Sequence, residues 1–577
     1  MVHIAYYVAM HIDIVPNRGS RPAYLLRESV REGKRVRKHT LANLSSLSDA
    51  QILAIRAVLR GESVRPVASM FEAVCSRSHG QVQALRVAMR RLEFESLIAS
   101  RPSPQRDLVC AMIAARVLAP HTKLATTRWW HTCTLAEEFG VTQADENQLY
   151  EAMDWLLLRQ GDIEKKLAAR HLRSGGLVLY DLSSSYFEGS CCPLAKLGYS
   201  RDRKKNKLQV NYGLLTDPRG CPVSVSVYEG NTADTKTLLP QVKRLREEFA
   251  IDTVVIVGDR GMISHKSIQE LREMDAVSWI TALKSVQIRS LLEQGSLQLG
   301  LFDECNLFEF THPEFPNERL IACRNPELAK LRAHKRRELI EATVVELEKV
   351  RGMVERKKLA GSDRIGLRVG RVLNKYKVAK HFEIQIEPNR FAWLIREDQV
   401  SSEATLDGIY ILRTSLPTPE MDSAQVVRSY KLLSQVERAF RSIKTVDLKV
   451  RPIHHRLAKR VRAHIFLCML AFYIEWHMLE AWREILFADE DQQAKEQRDP
   501  VAPAKRSAQA QRKAATHTLP DGSPAHSFRT LLEDLSTIVR NTCRTPESDQ
   551  NAPTFTVTTT PNATQQHALA LLDTIHV

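Results

Sequence analysis

The chain of 577 residues carries 83 Lys and Arg against 67 Asp and Glu, a formal charge of +16, and is too long for one compact core, so about two to four domains are expected. With 44% hydrophobic and 26% charged residues it has an ordinary globular composition, which excludes wholesale disorder, a collagen-like repeat and a continuous coiled coil. The excess of positive charge suits a polyanionic partner, but a solvated basic surface would give the same count, so the placement of acids within that basic field has to decide.

The N-terminus, MVHIAYYVAM, lacks the basic region, apolar core and cleavage site of a signal peptide. Residues 1–45 read as a small basic β module, with strands over His3–Ile14, Ala23–Glu28 and Val36–Leu44 around the turn Pro16-Asn17-Arg18-Gly19, and with Lys34, Arg35, Arg37 and Lys38 supplying charge. Residues 46–174 turn helical, with Ser48-Asp49 as a cap and Ile52, Leu53, Ile55, Val58 and Leu59 at helical spacing; this region is a candidate for DNA binding. Trp129, Trp130 and Trp155 there read as packing residues. At Gly175-Gly176 the period changes. Leu177–Phe187 reads as a strand, Leu208–Leu215 and Cys221–Tyr228 as a hairpin about Asp217-Pro218-Arg219-Gly220, Thr237–Phe249 as a helix, and Thr253–Val257 as a strand buried on both faces. Three strands, a helix and a buried strand fit a mixed α/β sheet of the ribonuclease-H type, its first part spanning 175–270.

Residues 271–404 read as an α+β insertion, with hairpins over Cys305–Phe310 with Arg319–Cys323 and His381–Ile386 with Phe391–Arg396, and a charged helix over Pro326–Leu359. Residues 405–486 return to the core through a strand at Gly408–Leu412, a helix from Asp422 to Lys444 with Gln425 as capping-box partner, and a helix over Val461–Leu479. The longest apolar run, Ile465–Ile474, is too short to span a bilayer. Residues 487–577 read as a mobile linker, Asp489–Ser523, followed by closing helices at Ser527–Arg540 and Thr564–Ile575. The ten cysteines include no Cys-x-x-Cys pair and Cys191 adjoins Cys192, which suits neither a disulfide framework nor a zinc site and makes a reducing cytoplasm the default.

Three carboxylates stand out by position. Asp181 lies in the middle of an apolar strand, where an uncompensated charge costs several kcal/mol. Asp259 follows Thr253-Val-Val-Ile-Val-Gly, at the carboxyl end of a buried strand, where such sheets place ligand groups. Glu437 lies on the helix after the returning strand. At about 100° per residue from Tyr430, Glu437 falls at about 340°, Arg441 at about 20° and Lys444 at about 320°, one face, while Leu432, Val436, Ala439, Phe440 and Ile443 fall between about 180° and 280°. For an arbitrary helix this is a solvated face beside a core stripe; its coincidence with Asp181, Asp259 and the strand order favours a site.

That helix resembles the Tyr-x2-Arg-x3-Glu-x6-Lys signature of DDE-class insertion-sequence transposases, in the insertion-sequence-four superfamily, with Tyr430, Glu437 and Lys444 matching and Leu433 standing at the Arg position. The resemblance extends to Tyr180-Asp181-Leu-Ser-Ser-Ser-Tyr-Phe-Glu, Glu229-Gly-Asn-Thr-Ala-Asp234, Val257-Gly-Asp259-Arg-Gly-Met, Asp407-Gly-Ile-Tyr-Ile-Leu-Arg-Thr and Arg451-Pro-Ile-His-His455, in the family's order and with its insertion between the second Asp and the Glu. It implies a ribonuclease-H-like core with Asp181, Asp259 and Glu437 as catalytic and metal-ligating triad. It also implies Mg²⁺, with Mn²⁺ as substitute, as two ions per site. The reaction implied is cleavage at insertion-sequence ends and attack of the freed 3′-hydroxyl on target DNA. Tyr430 and Lys444 would contact DNA phosphates, with Arg441 or Arg438 substituting for the missing Arg. DNA as inverted repeats and target, a homodimer on DNA, no membrane, and a bacterial cytoplasm with nucleoid association are the further implications.

Arg201–Lys207 is either a phosphate-tracking or a solvated loop, and Asn231 and Asp234 are site-edge residues or a plain turn and cap. Glu188 is a spare ligand or exposed, and His454, His455 and His464 are structural residues or phosphate contacts. Ser183–Ser185 lack a Gly-x-Ser-x-Gly elbow, which argues against a serine hydrolase, and Gly33-Lys34 is followed by Arg35, which leaves no Walker phosphate loop. The competing readings are a ribonuclease-H-like nuclease without strand transfer and an inactive, domesticated DNA-binding protein.

Overall fold

The computed structural model describes residues 9–32, 35–62, 71–189, 191–204, 206–303, 305–491, 498–503, 505–544 and 554–577. The expectations for His3–Val8, Lys34, Lys205 and residues 492–497 and 504 of the linker lie outside the described residues. The chain forms two units, one of residues 1–76 and 540–559 and one of residues 77–539 and 560–577.

In the first unit β1 (Ala9–Asn17), β2 (Ser20–Glu32) and β3 (Arg35–Asn43) form an antiparallel sheet. Gly19 takes the left-handed φ of +81° that the tight β1–β2 turn requires. Asp13 ties the sheet together by accepting from Arg27 (2.9 Å) and Lys38 (3.0 Å). A helix, Asp49–Leu59, follows, opened by a capping box between Ser48 and Gln51. The boundary expected at residue 45 therefore falls inside this unit, which continues to β4 (Glu72–Ser78).

The second unit opens with helices, among them Gly80–Arg91, Pro104–Leu118, Glu146–Leu157 and Gln160–His171. They share one continuous core with the sheet that follows, so the segment expected as a separate helical region is part of the catalytic unit from residue 77 onward. Trp130, read as a packing residue, is fully buried in that core. The sheet contains β5 (Leu177–Tyr186), β6 (Gln209–Thr216), β7 (Pro222–Glu229), β8 (Val254–Val257), β9 (Val277–Ala282), β10 (Leu307–Phe310) and β11 (Arg319–Arg324). The hairpin β12 (Phe382–Glu387) and β13 (Arg390–Ile395) stands apart, and β14 (Ile409–Thr414) rejoins the main sheet, whose order is β10-β11-β14-β9-β8-β5-β6-β7.

Strands β5, β6 and β7 run antiparallel, while β8 and β9 run parallel to β5. This is the ribonuclease-H-like arrangement. All four residues of β8 and all eight of β6 are buried, as expected of strands covered on both faces. Gly213 in β6 is required by close approach: a Cβ there would lie 2.1 Å from the Tyr180 hydroxyl. The helix Ala458–Ala481, buried almost throughout, backs β7 and packs against the N-terminal helices. Among the described residues no single helix is long and apolar enough to cross a membrane.

Several expected boundaries move. The insertion does not begin at 271, because β9 extends the core sheet, β11 pairs with β14, and β10 adds to β11 at the edge, although both were expected within the insertion. What remains as a separate module is Asn325–Gly408. Its helices Pro326–Glu355 and Ser362–Tyr376 pack with β12 and β13 around their own core of Leu347, Val350, Ile365, Val369 and Phe391. The helix expected over Asp422–Lys444 has its Asp422–Gln425 capping box but is broken at Leu432 into Ser423–Lys431 and Leu433–Arg441, and ends in a π turn over Ser442–Val446. The expected mobile linker contains a helix, Ala508–Thr516, anchored by Lys513, whose ammonium is buried and donates to the carbonyls of Glu484 (3.0 Å) and Leu486 (3.1 Å). The first closing helix is shorter than expected, Phe528–Leu535, and gives way to β15 (Val539–Arg544). With β16 (Phe555–Thr558) it joins β4 in a three-stranded sheet that completes the first unit, in place of a free tail.

Candidate active site

The parallel ladder between β5 and β8 ends at Leu179 opposite Val257. Asp181 stands two residues further along β5, and Asp259 two residues past the end of β8, so both lie at the same end of the sheet. Asp181 faces a partly buried site, and its Oδ1 accepts the Leu182 amide at 2.7 Å. Burial pushes the Asp181 carboxyl up to about 7; the charges of Asp259 and Glu437 add to the rise, and the Leu182 amide and Arg201 oppose it. Asp259 and Glu437 are therefore both near enough for their charge to bear on Asp181. Asp259 itself is exposed, in the loop that leaves β8.

Glu437 comes from the helix Leu433–Arg441, which buries Val436, Ala439 and Phe440 and sets Phe440 edge-on against Tyr212 of β6, with ring centroids 5.7 Å apart. That packing turns Glu437, Arg438 and Arg441 outward, all three exposed. Tyr430 lies on the preceding helix and its hydroxyl donates to Asp259 Oδ1 at 3.5 Å. Burial and the adjacent Asp259 raise the phenol above its ordinary range.

Lys444 sits in the π turn, so the ideal helical wheel does not describe its direction. Its ammonium pairs with Asp202 at 2.6 Å and donates to Ser183 Oγ at 3.2 Å, with the side chain 11% exposed. Burial pulls its pKa down and Asp202 counters that. In place of a free cation, Lys444 is an internally paired one. Ser183 is two residues beyond Asp181 on the same face of β5, so this cation borders the site from within.

Asp202 was hidden in the sequence as one acid among Arg201, Arg203, Lys204 and Lys207. Its carboxylate, 1% exposed, binds Lys444 and Arg451 and accepts the Tyr186 amide at 3.0 Å. Arg201 pairs with Asp234 (2.5 Å), and its amide donates to Ser184 Oγ (3.1 Å), which joins two segments read as separate loop features. Glu188 is paired with Lys207 at 3.2 Å.

The donor set of Asp181, Asp259 and Glu437 is all oxygen, and no cation forms an ion pair with any of the three among the described residues. Uncompensated carboxylates at one end of a sheet suit a hard divalent cation. His171, Cys221 and His477 are the one trio of His, Cys, Asp or Glu among the described residues whose ligand atoms all lie within 4.8 Å, so the triad is set wider. That trio does not suit a metal. His171 already meets Tyr473 through Nε2 (3.0 Å) and the Arg219 guanidinium through Nδ1 (3.4 Å), and Arg219 would oppose a cation.

A family profile described as Transposase DDE domain matches residues 190–474, and one described as IS1634 family transposase, N-terminal domain matches residues 12–67; together they take in more than half of the chain. The first profile includes Asp259, Tyr430, Glu437 and Lys444 and begins just after β5, so Asp181 lies outside the matched span. A cryo-EM structure of the piggyBac transposase synaptic complex with hairpin DNA is similar over 73% of this chain and 79% of that one, at 10% identity and a TM-score of 0.32, too low to bear on fold or function. No curated protein matches. With a ribonuclease-H-like sheet and both profiles matched in order, the chain belongs to the DDE transposases of insertion sequences.

Proposed function

We propose that this transposase cuts phosphodiester bonds at the ends of its element and joins the freed 3′-hydroxyls to target DNA, with Asp181, Asp259 and Glu437 holding two divalent ions, Mg²⁺ or in its place Mn²⁺. The observation that carries this reading is the placement of Asp181 and Asp259 at one end of the sheet, from β5 and just past β8, with no ion pair to either among the described residues, and with Glu437 supplied by the helix Leu433–Arg441. When bound, the ions supply activation of a water or hydroxyl nucleophile and neutralisation of the leaving oxygen.

The remaining work falls to the chain's own side chains. Tyr430 orients the Asp259 carboxylate through its hydroxyl. Asp202 fixes Lys444 beside Ser183, which gives the buried edge of the site a positive charge for a phosphodiester. Arg438 and Arg441, exposed on the helix that carries Glu437, are the DNA-backbone contacts, and with Leu433 at the signature's Arg position they supply the charge that residue lacks. No covalent enzyme intermediate is needed, since positioning and charge neutralisation suffice for in-line displacement. A homodimer engages the two ends together.

The test is incubation of the purified chain with Mg²⁺ and a duplex carrying the inverted repeats that flank its gene, followed by separate readout of nicked and joined products. Nicking with joining supports the proposal. Nicking without joining would establish the nuclease reading, and neither, with DNA still bound, the inactive DNA-binding reading.

A further inference from the structure

A second basic feature lies outside the triad. A cavity of about 460 Å³ opens between the end of the helix Pro104–Leu118, the start of Lys123–Trp129, the segment Lys449–His455 and the helix Ala458–Ala481. Arg116, Lys123, Lys449, Arg451, His455 and His464 line it, and no Asp or Glu does. Arg451 is compensated by Asp202. Among the described residues the others are not: Arg116 donates there only to the carbonyls of Leu448 (3.4 Å) and His121 (3.2 Å).

Lys123 is 5% exposed and has no hydrogen bond or ion pair among the described residues, a costly state for an ammonium. His464, 6% exposed, meets the Val450 carbonyl through Nε2 (3.2 Å), while its buried Nδ1 has no partner. A wall built of buried cations and an unused ring nitrogen lacks one thing, an anion. Titration supports the same conclusion. Burial, reinforced by Arg116, pulls Lys123 down to about 7; burial, reinforced by Lys123 and Arg116, pulls His455 down to about 3; and burial, reinforced by His455 and then Arg116, pulls His464 well below its usual range. The other titratable groups facing the cavity are His121, Tyr150 and His454, with Cys468 behind Lys123 and Arg460 over the Tyr150 ring at 4.5 Å; Asp154, on the helix that carries Tyr150, is taken up by Lys459 at 2.7 Å.

The cavity is joined to the triad's strand. Ile453 N donates to the Tyr186 carbonyl (3.1 Å) and Glu188 N to the Ile453 carbonyl (2.9 Å), which sews the segment onto the end of β5. From Asp181 to Phe187 is about 20 Å of strand, a length that about six nucleotides of one duplex strand would cover.

We propose that this cavity binds a phosphate group of the DNA backbone, with Arg116 and Lys123 as its fixed charges, Lys449 at its mouth, and His455 and His464 as donors that take up protons when the anion arrives. The DNA source rests on the transposase reading; the phosphate chemistry does not. The segment Arg451–His455 carries both the cavity wall and the Arg451–Asp202 link to Lys444, so an occupied cavity also holds the buried edge of the active site in place.

The test uses the full chain, with Lys123→Met, which removes a buried charge and is expected to fold, and Lys449→Glu at an exposed position. Sulfate, which does not titrate near neutrality, should raise the melting temperature of the wild type and of neither variant. Its affinity for the wild type should fall as pH rises above about 7, where free Lys123 loses its proton and the anion must also recruit protons to His455 and His464; an affinity independent of pH would overturn the site. In DNA binding, each variant should lower the slope of log K against log salt by about one. One neutral methylphosphonate, placed along the duplex, should weaken the wild type about tenfold and Lys123→Met hardly at all. Sulfate binding lost in the variants with an unchanged salt slope would make the ligand a free anion and overturn the DNA source. Unchanged sulfate binding and salt slope in both variants would overturn the site. Absence of nicking by the wild type, with all of these responses intact, would count against the triad alone.

Discussion

Asp181 and Asp202 show how differently one residue type behaves in neighbouring places. Asp181 has a carboxyl raised from 3.8 to about 7, so between those values the unfolded chain is ionised there while the folded chain keeps a proton. Stability therefore declines as pH rises through that window, and the charge needed to hold a cation is carried at the fold's expense. Asp181→Asn should melt higher than the wild type at pH 8 in the absence of divalent ions and show no such gain at pH 3, as read by calorimetry. Equal melting at both values would mean that Asp181 is not strained. Asp202 is the converse, a buried carboxylate with two cationic partners and a backbone amide. Asp202→Ala leaves Lys444 and Arg451 without it and should cost about 3–5 kcal/mol in urea unfolding. A loss under about 1 kcal/mol would show that water replaces the carboxylate.

Among the elements, those whose pattern was local were legible in the sequence. The short apolar run of β8, the Asp217–Gly220 hairpin and the Asp422–Gln425 capping box carry their own signals. β9 was missed because Val277-Ser-Trp-Ile-Thr-Ala alternates only partly and becomes a strand by pairing with β8 on one side and β14 on the other. Lys444 was misdirected because a π turn adds residues that a regular wheel cannot include, and the cavity around Lys123 was invisible because its walls come from segments more than 300 residues apart. Asp181 and Asp259 were legible for a simpler reason: an acid in or just after an apolar strand needs an explanation wherever the rest of the chain goes. The insertion gives a prediction at this scale. Asn325 N donates to the Gly408 carbonyl (2.9 Å), and Arg324 is paired opposite Ile409, so the module leaves and returns at adjacent points of one hairpin. Replacing residues 327–406 with a short Gly-Asn turn should leave a cooperative unfolding transition for the remaining sheet. A chain that no longer unfolds cooperatively would show that the module's core supports β11 and β14.

Across the whole molecule, the +16 charge is spent unevenly. Uncompensated acids gather at one end of the central sheet, while buried and exposed cations gather around Lys123 and on the helix that carries Glu437. An excess of positive charge by itself means little, but an acidic site bordered by basic walls is what cutting a polyanion requires. Binding to duplex DNA should accordingly weaken steeply with salt. The most direct measurement is the rate of Mg²⁺-dependent nicking at the element's ends by wild type and by Asp181→Asn, Asp259→Asn and Glu437→Gln, each at a protein concentration that saturates the DNA. All three variants should bind the duplex and fail to nick it; nicking at the wild-type rate by any one of them would contradict the assignment of the triad.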